Sequence, residues 1–381
     1  MDLTLATPLL GGLSADVFMR RHWQKKPLLV RGALPLSDPL SDAFVTRAQL
    51  FALASRETVE SRLVERGAGG WALRQGPFQR SALPPLKRAA WTLLVQGVDL
   101  HLSGARALLE RFRFVPDARL DDVMVSYASD GGGVGPHVDS YDVFLLQLQG
   151  RRRWRIGRVT DPSFLPGVPL KILAAFEPEQ EWLLEPGDML YLPPGWGHDG
   201  VAEGECLTGS IGFRAAGREQ LGREVLQRAL DAGEAIENDP LYRDPKQPAT
   251  DTPGRIPAAL HAFAADAVAR TLAAPRWLGC ALGEVLSEPK PGVWFETAPT
   301  QTGAGGVVLD RRSRMLYDDW HVFINGESFQ AAGRDATLMR RLADQRSLSA
   351  RERSALSPPA RELLDDWVAA GWILWAQETT P

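Results

Sequence analysis

The sequence has very few cysteines and no excess of one charge. Cys206 and Cys280 are the only cysteines among 381 residues, too few for a disulfide framework, and they fit a reducing cytoplasm. Because 43 Lys and Arg stand against 47 Asp and Glu, the net charge is −4, and we expect no direct nucleic-acid binding. No apolar run approaches the roughly 18 residues of a membrane span, and the N-terminus lacks a basic leader. These absences predict a soluble cytoplasmic protein with no membrane association.

Glycine and proline are abundant instead, with 36 and 28 residues. Between about 123 and 213, short apolar runs alternate with turn residues, which predicts many strands in a barrel or sandwich. Helical spacing of apolar residues precedes this region at 14–25 and 87–111. After a change of pattern near 214, an amphipathic helix is predicted at 218–236, and a compact α+β module that resembles a winged helix follows. From residue 297 onwards ten Arg face eleven Asp and Glu, which argues against phosphate binding by that module.

Two of the six histidines lie in patterns that suit a metal ion. In an extended strand residues i and i+2 share a face, so the side chains of His137 and Asp139 converge. His198 ends a second pattern, which consists of a turn, a short apolar strand and a Pro/Gly loop. Two His and one carboxylate are the ligands of the non-haem Fe(II) facial triad, which leaves positions open for a cosubstrate and oxygen. Zinc hydrolases use similar donors, so these residues alone leave the metal open.

Four arginines follow Gly150, and strand alternation separates them. Arg152 shares a face with the apolar residues Trp154 and Ile156, whereas the other three arginines share the opposite face. An arginine that points into a barrel is costly unless it meets an anion, and its planar fork suits a carboxylate. Arg152 is therefore the candidate clamp for an organic acid, and the alternative is an internal pair with Asp or Glu.

Three segments of the chain resemble one known family. They are H-W-Q-K-K-P-L-L-V-R-G at 22–32, G-G-G-V-G-P-H-V-D-S-Y-D-V-F-L-L-Q-L-Q-G-R-R-R-W-R-I at 131–156, and G-D-M-L-Y-L-P-P-G-W-G-H at 187–198. These segments closely resemble the bacterial ribosomal oxygenases, which belong to the JmjC-type, cupin-fold 2-oxoglutarate oxygenases. The resemblance implies an α+β protein with three parts. They are a JmjC/cupin double-stranded β-helix domain with N-terminal helices at 1–215, a helical dimerisation segment at 216–274, and a small winged-helix-like domain at 275–381.

The resemblance also implies the chemistry. The family's metal ligands fall on His137, Asp139 and His198, and its residues for 2-oxoglutarate fall on Arg152 and Ser126. The expected cofactor is Fe(II), with 2-oxoglutarate and O2 as cosubstrates. The implied reaction is hydroxylation of Cβ of an arginine in a large-subunit ribosomal protein, by a homodimeric enzyme.

An acidic run surrounds the first metal motif. The segment from 117 to 142 contains six Asp and one Arg. This bias would steer a cationic substrate to the mouth of the site. We take Asp130 as the candidate partner of a guanidinium and Tyr141 as a wall of its pocket, although such a run is equally often a solvated loop. Two alternatives stay open: the same chemistry on a histidine or methyl-lysine, and a cupin-like binding module without turnover.

Overall fold

The computed structural model of the protein describes residues 2–35, 37–38, 44–231, 241–249, 253–272, 275–297, 303 and 305–376. The chain forms two compact units, Met1–Ala215 and Ala216–Pro381. Across these described ranges, no helix combines the length and the apolar character that crossing a membrane would need.

The first unit is built on a ten-stranded antiparallel sheet. Eight strands follow the order β1-β9-β7-β10-β5-β4-β2-β3, while β6 pairs with β10 and β8 pairs with β7. The strands are β1 (Leu28–Val30), β2 (Ser61–Gly67), β3 (Gly70–Gln75), β4 (Trp91–Val95), β5 (Leu120–Ala128), β6 (His137–Val138), β7 (Val143–Arg158), β8 (Gln180–Leu184), β9 (Met189–Leu192) and β10 (Trp196–Phe213).

The long strands β7 and β10 form the centre of this sheet. Their ladder breaks between Glu203 and Leu207 and then resumes, so each strand contributes two paired segments. Gly150 lies opposite this break with a φ of +64°, and a Cβ there would lie 2.1 Å from the Glu205 carbonyl oxygen. Only glycine combines that backbone conformation with such a close approach. The close approach of the two strands at this break therefore depends on Gly150.

Among the residues described in this unit, three α-helices accompany the sheet: α1 (Ala15–Arg21), α2 (Arg47–Ala54) and α3 (Ser103–Glu110). Ser14 caps α1, and Thr46 with Gln49 forms a capping box at α2. The helix predicted at 87–111 is wrong in its first part. Residues 91–95 form the buried strand β4, because an apolar run buried on both faces carries no period that separates strand from helix. The rest of the predicted segment contains a 3-10 turn at Val98–Leu100 and the helix α3, and α1 lies within the helix predicted at 14–25.

The N-terminal segment that carried part of the resemblance has a packing role. The Trp23 ring stacks on Tyr191, with 6.0 Å between the ring centroids. Gln24 donates from Nε2 to the fully buried Asp142 carboxylate at 3.0 Å, and Tyr191 Oη donates to the same carboxylate at 2.6 Å. Charge-assisted bonds of this kind hold the segment against β9.

The second unit combines helices with two three-stranded sheets, ordered β15-β11-β16 and β12-β13-β14. Its core is centred on Leu342, Leu364 and Trp367. The helix predicted at 218–236 is present up to Asp231, and 232–236 lie outside the described residues. The elements are α4 (Arg218–Asp231), α5 (Ala258–Leu272), α6 (Pro275–Ser287), β11 (Val307–Leu309), β12 (Met315–Tyr317), β13 (His321–Ile324), β14 (Glu327–Gln330), α7 (Gly333–Gln345), β15 (Ser347–Leu348), α8 (Ala350–Ser354), α9 (Pro358–Ala369) and β16 (Ile373–Trp375).

Candidate active site

The two histidines and the aspartate of the sequence motifs lie together at one end of the sheet. His137 on β6 is the direct cross-strand partner of His198 on β10, and their ring centroids are 4.1 Å apart. Asp139 follows β6, and its Oδ2 lies 3.6 Å from His198 Nε2. One ligand atom from each residue lies within 4.8 Å of the other two. The donor set matches a two-His, one-carboxylate metal centre.

Backbone carbonyls fix the orientation of both imidazoles. His137 Nδ1 donates to the Gly135 carbonyl at 2.9 Å, and His198 Nδ1 donates to the Trp196 carbonyl at 3.2 Å. A carbonyl oxygen can only accept, so the proton of each neutral ring resides on Nδ1 and Nε2 keeps its lone pair. Burial, and then the neighbouring His137, hold the pKa of His198 well below its ordinary value. His198 is therefore neutral at physiological pH, as a metal ligand must be.

Asp139 and Tyr141 interact at the same centre. The Tyr141 hydroxyl hydrogen-bonds to the Asp139 carboxylate, although burial raises the pKa of that carboxyl overall. Withdrawal of the hydroxyl from water, and then the Asp139 charge, raise the pKa of Tyr141, so it stays protonated and able to donate. An outer hydrogen bond of this type orients a ligating carboxylate.

Arg152 is buried, with 3% of its surface exposed, as strand alternation predicted. Arg153 and Arg155, on the opposite face, pair with Glu203 and Asp199. Within the described ranges, Arg152 forms no ion pair and its Nε has no hydrogen-bond partner. Burial lowers its pKa, but a guanidinium stays charged because its ordinary value exceeds 12. Arg152 is thus a buried cation that pairs with no carboxylate of the described residues.

A row of polar side chains receives the guanidinium. Ser126 on β5, Thr208 on β10 and Gln147 on β7 are direct cross-strand partners. Arg152 Nη1 donates to Ser126 Oγ at 3.1 Å and to Thr208 Oγ1 at 3.4 Å, and its Nη2 donates to the Gly200 carbonyl at 3.1 Å. Thr208 and Gln147 were not identified from the sequence, because nothing local signals which residues become neighbours across three strands.

The metal ligands and the guanidinium line one cavity of about 420 Å³. Ser126 and Thr208 also line it, so every predicted group for metal and organic acid faces the same space. Tyr141 also lines it, as do Asp121 and Asp122 of the acidic run and the basic residues Arg62 and Lys171. The cavity therefore carries both acidic and basic side chains beside the metal ligands and Arg152.

The structure does not bring Asp130 to this cavity. Its carboxylate Oδ1 accepts from the Gly204 backbone N–H at 2.8 Å, in an exposed turn beyond the end of β5. β5 lines the cavity from Asp121 to Ser126, whereas Asp130 lies beyond the end of this strand. Among the residues predicted for substrate, Tyr141 is at the cavity and Asp130 is not.

Two parts of the chain match known protein families. Residues 107–221 match the JmjC domain family, and residues 270–373 match the ROXA-like winged helix. The ribosomal protein uL16 3-hydroxylase of Escherichia coli is 39% identical over 245 residues, which cover 63% of this chain and 62% of that protein. By these matches the chain is similar to the bacterial ribosomal oxygenases of the JmjC family. The predicted fold class, a JmjC cupin core followed by a winged helix, is confirmed.

Other ribosomal oxygenases extend the comparison. A probable ribosomal oxygenase of Haemophilus influenzae is 37% identical over 206 residues, 53% of this chain and 50% of that protein. The matched region thus spans less than two thirds of either curated relative. The X-ray structure of E. coli YcfD is 29% identical and superposes with a TM-score of 0.82, covering 96% of this chain and 98% of that chain.

A further YcfD structure, in complex with cobalt and 2-oxoglutarate, has a TM-score of 0.78 at 29% identity and covers 95% of this chain and 98% of that chain. The residues present here fit both groups. The triad His137, Asp139 and His198 suits Fe(II), and the unpaired, buried Arg152 suits the distal carboxylate of 2-oxoglutarate. The expectation of a metal ion with 2-oxoglutarate agrees with that complex.

Proposed function

We propose that the protein is an Fe(II)- and 2-oxoglutarate-dependent hydroxylase that acts on Cβ of an arginine in a large-subunit ribosomal protein. The observation that carries the proposal is the buried, unpaired Arg152 in the same cavity as His137, Asp139 and His198. A binding module without turnover has no physical need for all four groups in one cavity.

The residues divide the work. His137, Asp139 and His198 would hold the metal by Nε2, a carboxylate oxygen and Nε2, and three protein ligands leave positions open for the cosubstrate and oxygen. Arg152 and Ser126 would bind the distal carboxylate of 2-oxoglutarate. When bound, Fe(II) with 2-oxoglutarate and O2 supplies the oxidation: 2-oxoglutarate loses CO2 to give succinate, and one oxygen atom enters a substrate C–H bond. Arg152 and His198 are buried, which would limit the access of water to this chemistry.

The acidic residues that line the cavity, which Arg62 and Lys171 also line, support a cationic substrate. The Asp122 carboxylate is buried and accepts from the Gly97 backbone N–H at 2.8 Å, which holds its charge in place. Asp121 lies beside it, half-buried, and Tyr141 offers an aromatic wall. Two carboxylates and a ring suit a guanidinium better than a neutral imidazole, because they supply charge as well as surface.

The direct test is incubation of the protein with Fe(II), 2-oxoglutarate and air, together with ribosomal protein uL16, the protein named for the E. coli relative. We expect a mass gain of one oxygen atom at an arginine Cβ, located by peptide fragmentation, and one succinate per oxygen inserted. The Asp139→Ala variant and a peptide with Lys in place of the modified Arg are the controls. An oxygen gain on histidine, or loss of a methyl group from lysine, would favour the alternative substrates. Iron and 2-oxoglutarate binding with no oxidised product would favour the binding module.

Gly200 offers a local test of the site. It lies opposite Trp154 in the β7–β10 ladder, and a Cβ there would lie 2.7 Å from both Arg152 Nε and the Trp154 ring. Gly200→Ala is therefore expected to displace the guanidinium and raise the dissociation constant for 2-oxoglutarate about tenfold, measured by calorimetry with Mn(II). Gly67→Ala, where a Cβ meets nothing within 4 Å, is the matched control. Unchanged affinity in a folded Gly200→Ala protein would separate Arg152 from 2-oxoglutarate binding.

We also propose that the protein is a cytoplasmic homodimer, formed through the helical segment 216–274 that precedes a winged-helix domain at 275–381. α4 packs Val225 and Ala229 against Ala281 of α6, which leaves Leu230 68% exposed. On α5, Val268 is 60% exposed and Phe263 is 39% exposed. Exposed apolar side chains on α4 and α5 are the candidates for such an interaction surface.

Introducing charge into this apolar surface tests the dimer. The double variant Leu230→Glu/Phe263→Glu is expected to raise the dissociation constant of the dimer at least about 100-fold, because each new carboxylate would be buried without a partner. Light scattering at several protein concentrations measures the molar mass. Leu5→Glu, at a site 64% exposed in the first unit, is the control and should leave the mass unchanged. A monomeric wild-type protein would overturn the proposal.

A further inference from the structure

Gln147 is fully buried and does not line the active-site cavity, yet it bonds to a residue that does. Its Nε2 donates to the Gln149 carbonyl at 2.9 Å and to the Gly150 carbonyl at 3.3 Å. Both carbonyls can only accept, so the amide nitrogen must face them and Oε1 must face the other way. That oxygen accepts from Thr208 Oγ1 at 3.1 Å.

This chain of bonds fixes the direction of the Thr208 hydroxyl. Because the Thr208 proton is donated to Gln147, the lone pairs of Oγ1 face Arg152 Nη1, 3.4 Å away. Ser126 is held less firmly, because its hydroxyl donates to the Thr208 carbonyl at 3.4 Å, close to the limit of a hydrogen bond. Ser126 can therefore turn its proton toward an anion, whereas Thr208 stays an acceptor for the guanidinium.

We infer that Gln147 is a positioning residue for 2-oxoglutarate, acting through Thr208 on Arg152. By keeping Thr208 an acceptor, Gln147 anchors one edge of the guanidinium. The guanidinium is thereby held in place for the distal carboxylate. This inference rests on the proposed function, because it assigns the anion of Arg152 to 2-oxoglutarate. Gln149 lies two residues further along β7 with its side chain exposed, and it has no such connection to the cavity.

The test compares two 2-oxo acids that bind a metal alike but differ at the far end. Full-length protein loaded with Mn(II) is titrated by calorimetry with 2-oxoglutarate and with pyruvate, which lacks the distal carboxylate. Gln147→Met is expected to weaken the binding of 2-oxoglutarate about tenfold, or about 1.4 kcal/mol. The affinity for pyruvate should change by less than twofold. Gln149→Met is the matched control and should bind both ligands as the wild-type protein does.

Thr208 supplies a second pair of variants that preserves strand shape. Thr208→Val removes the hydroxyl and is expected to reproduce the tenfold loss, Thr208→Ser keeps it and should restore binding, and Gln147→Met should add little to Thr208→Val. Equal weakening of both 2-oxo acids, or no weakening of 2-oxoglutarate in either Gln147→Met or Thr208→Val, would overturn the inference. A wild-type protein that binds 2-oxoglutarate no better than pyruvate would instead contradict the proposed function.

Discussion

Replacing Arg152 with methionine is expected to raise the dissociation constant for 2-oxoglutarate at least 100-fold and to leave metal affinity unchanged. A buried charge left without its partner costs about 3–5 kcal/mol, and a carboxylate that faces the apolar side chain of the introduced methionine would be such a charge. A 100-fold change corresponds to about 2.7 kcal/mol, so the expected loss is a lower bound. Calorimetry with the Mn(II) protein measures both affinities.

The same substitution is expected to leave the stability of the ligand-free protein unchanged or to raise it. Without a bound anion, Arg152 is a buried cation that has no carboxylate partner among the described residues. Methionine at this position should therefore leave the melting temperature of the ligand-free protein equal or higher, and 2-oxoglutarate should stabilise only the wild-type protein. Arg153→Met is the control, since Arg153 pairs with Glu181 and Glu203 on the outer face. A fall in stability with unchanged 2-oxoglutarate affinity would make Arg152 a structural residue.

Loss of a metal ligand is expected to have the second large effect. Loss of a residue that only hydrogen-bonds to a metal ligand weakens metal binding roughly 10- to 100-fold. Asp139→Ala and His198→Ala remove a ligand itself, so each should weaken Mn(II) or Fe(II) binding by more than that and should abolish hydroxylation. Both side chains converge on one point, and His198 is buried, so no exposed group can take its place. Metal content after dialysis and a calorimetric titration with Mn(II) measure the effect.

A matched histidine variant separates this effect from general damage. His261 lies exposed on α5, outside the metal cluster, and His261→Ala should bind metal as the wild-type protein does. Tyr141→Phe removes only the hydrogen bond to Asp139 and should show a smaller loss than Asp139→Ala. Full metal occupancy in Asp139→Ala would contradict the assignment of the triad.

Short-range patterns in the sequence predicted the parts of the site that strand geometry alone determines. His137 and Asp139 share a face because they are two residues apart, and Arg152 is separated from its neighbouring arginines by the same rule. Ser126 was available only through resemblance, since a serine in a strand carries no signal of its own. The placement of all four agrees with the expectation, and their roles stay predictions that the variants above measure.

The parts that were not predicted depend on pairing between distant strands. Thr208 and Gln147 became neighbours of Ser126 through the register of β5, β10 and β7, which no local pattern specifies. Gly200 matters because of a contact with the Arg152 and Trp154 side chains, also across strands. Asp130 illustrates the converse: the count of acidic residues could not tell which of them line the cavity.

We propose that His137, Asp139 and His198 hold Fe(II) beside Arg152, which binds the distal carboxylate of 2-oxoglutarate. The most direct measurement is an anaerobic visible spectrum of metal-free protein titrated with Fe(II) and then 2-oxoglutarate, with His137→Ala and Arg152→Ala alongside. We expect a charge-transfer band that needs both ligands, is absent in His137→Ala, and requires much more 2-oxoglutarate in Arg152→Ala. A folded, iron-loaded wild-type protein that develops no band with 2-oxoglutarate would contradict the account.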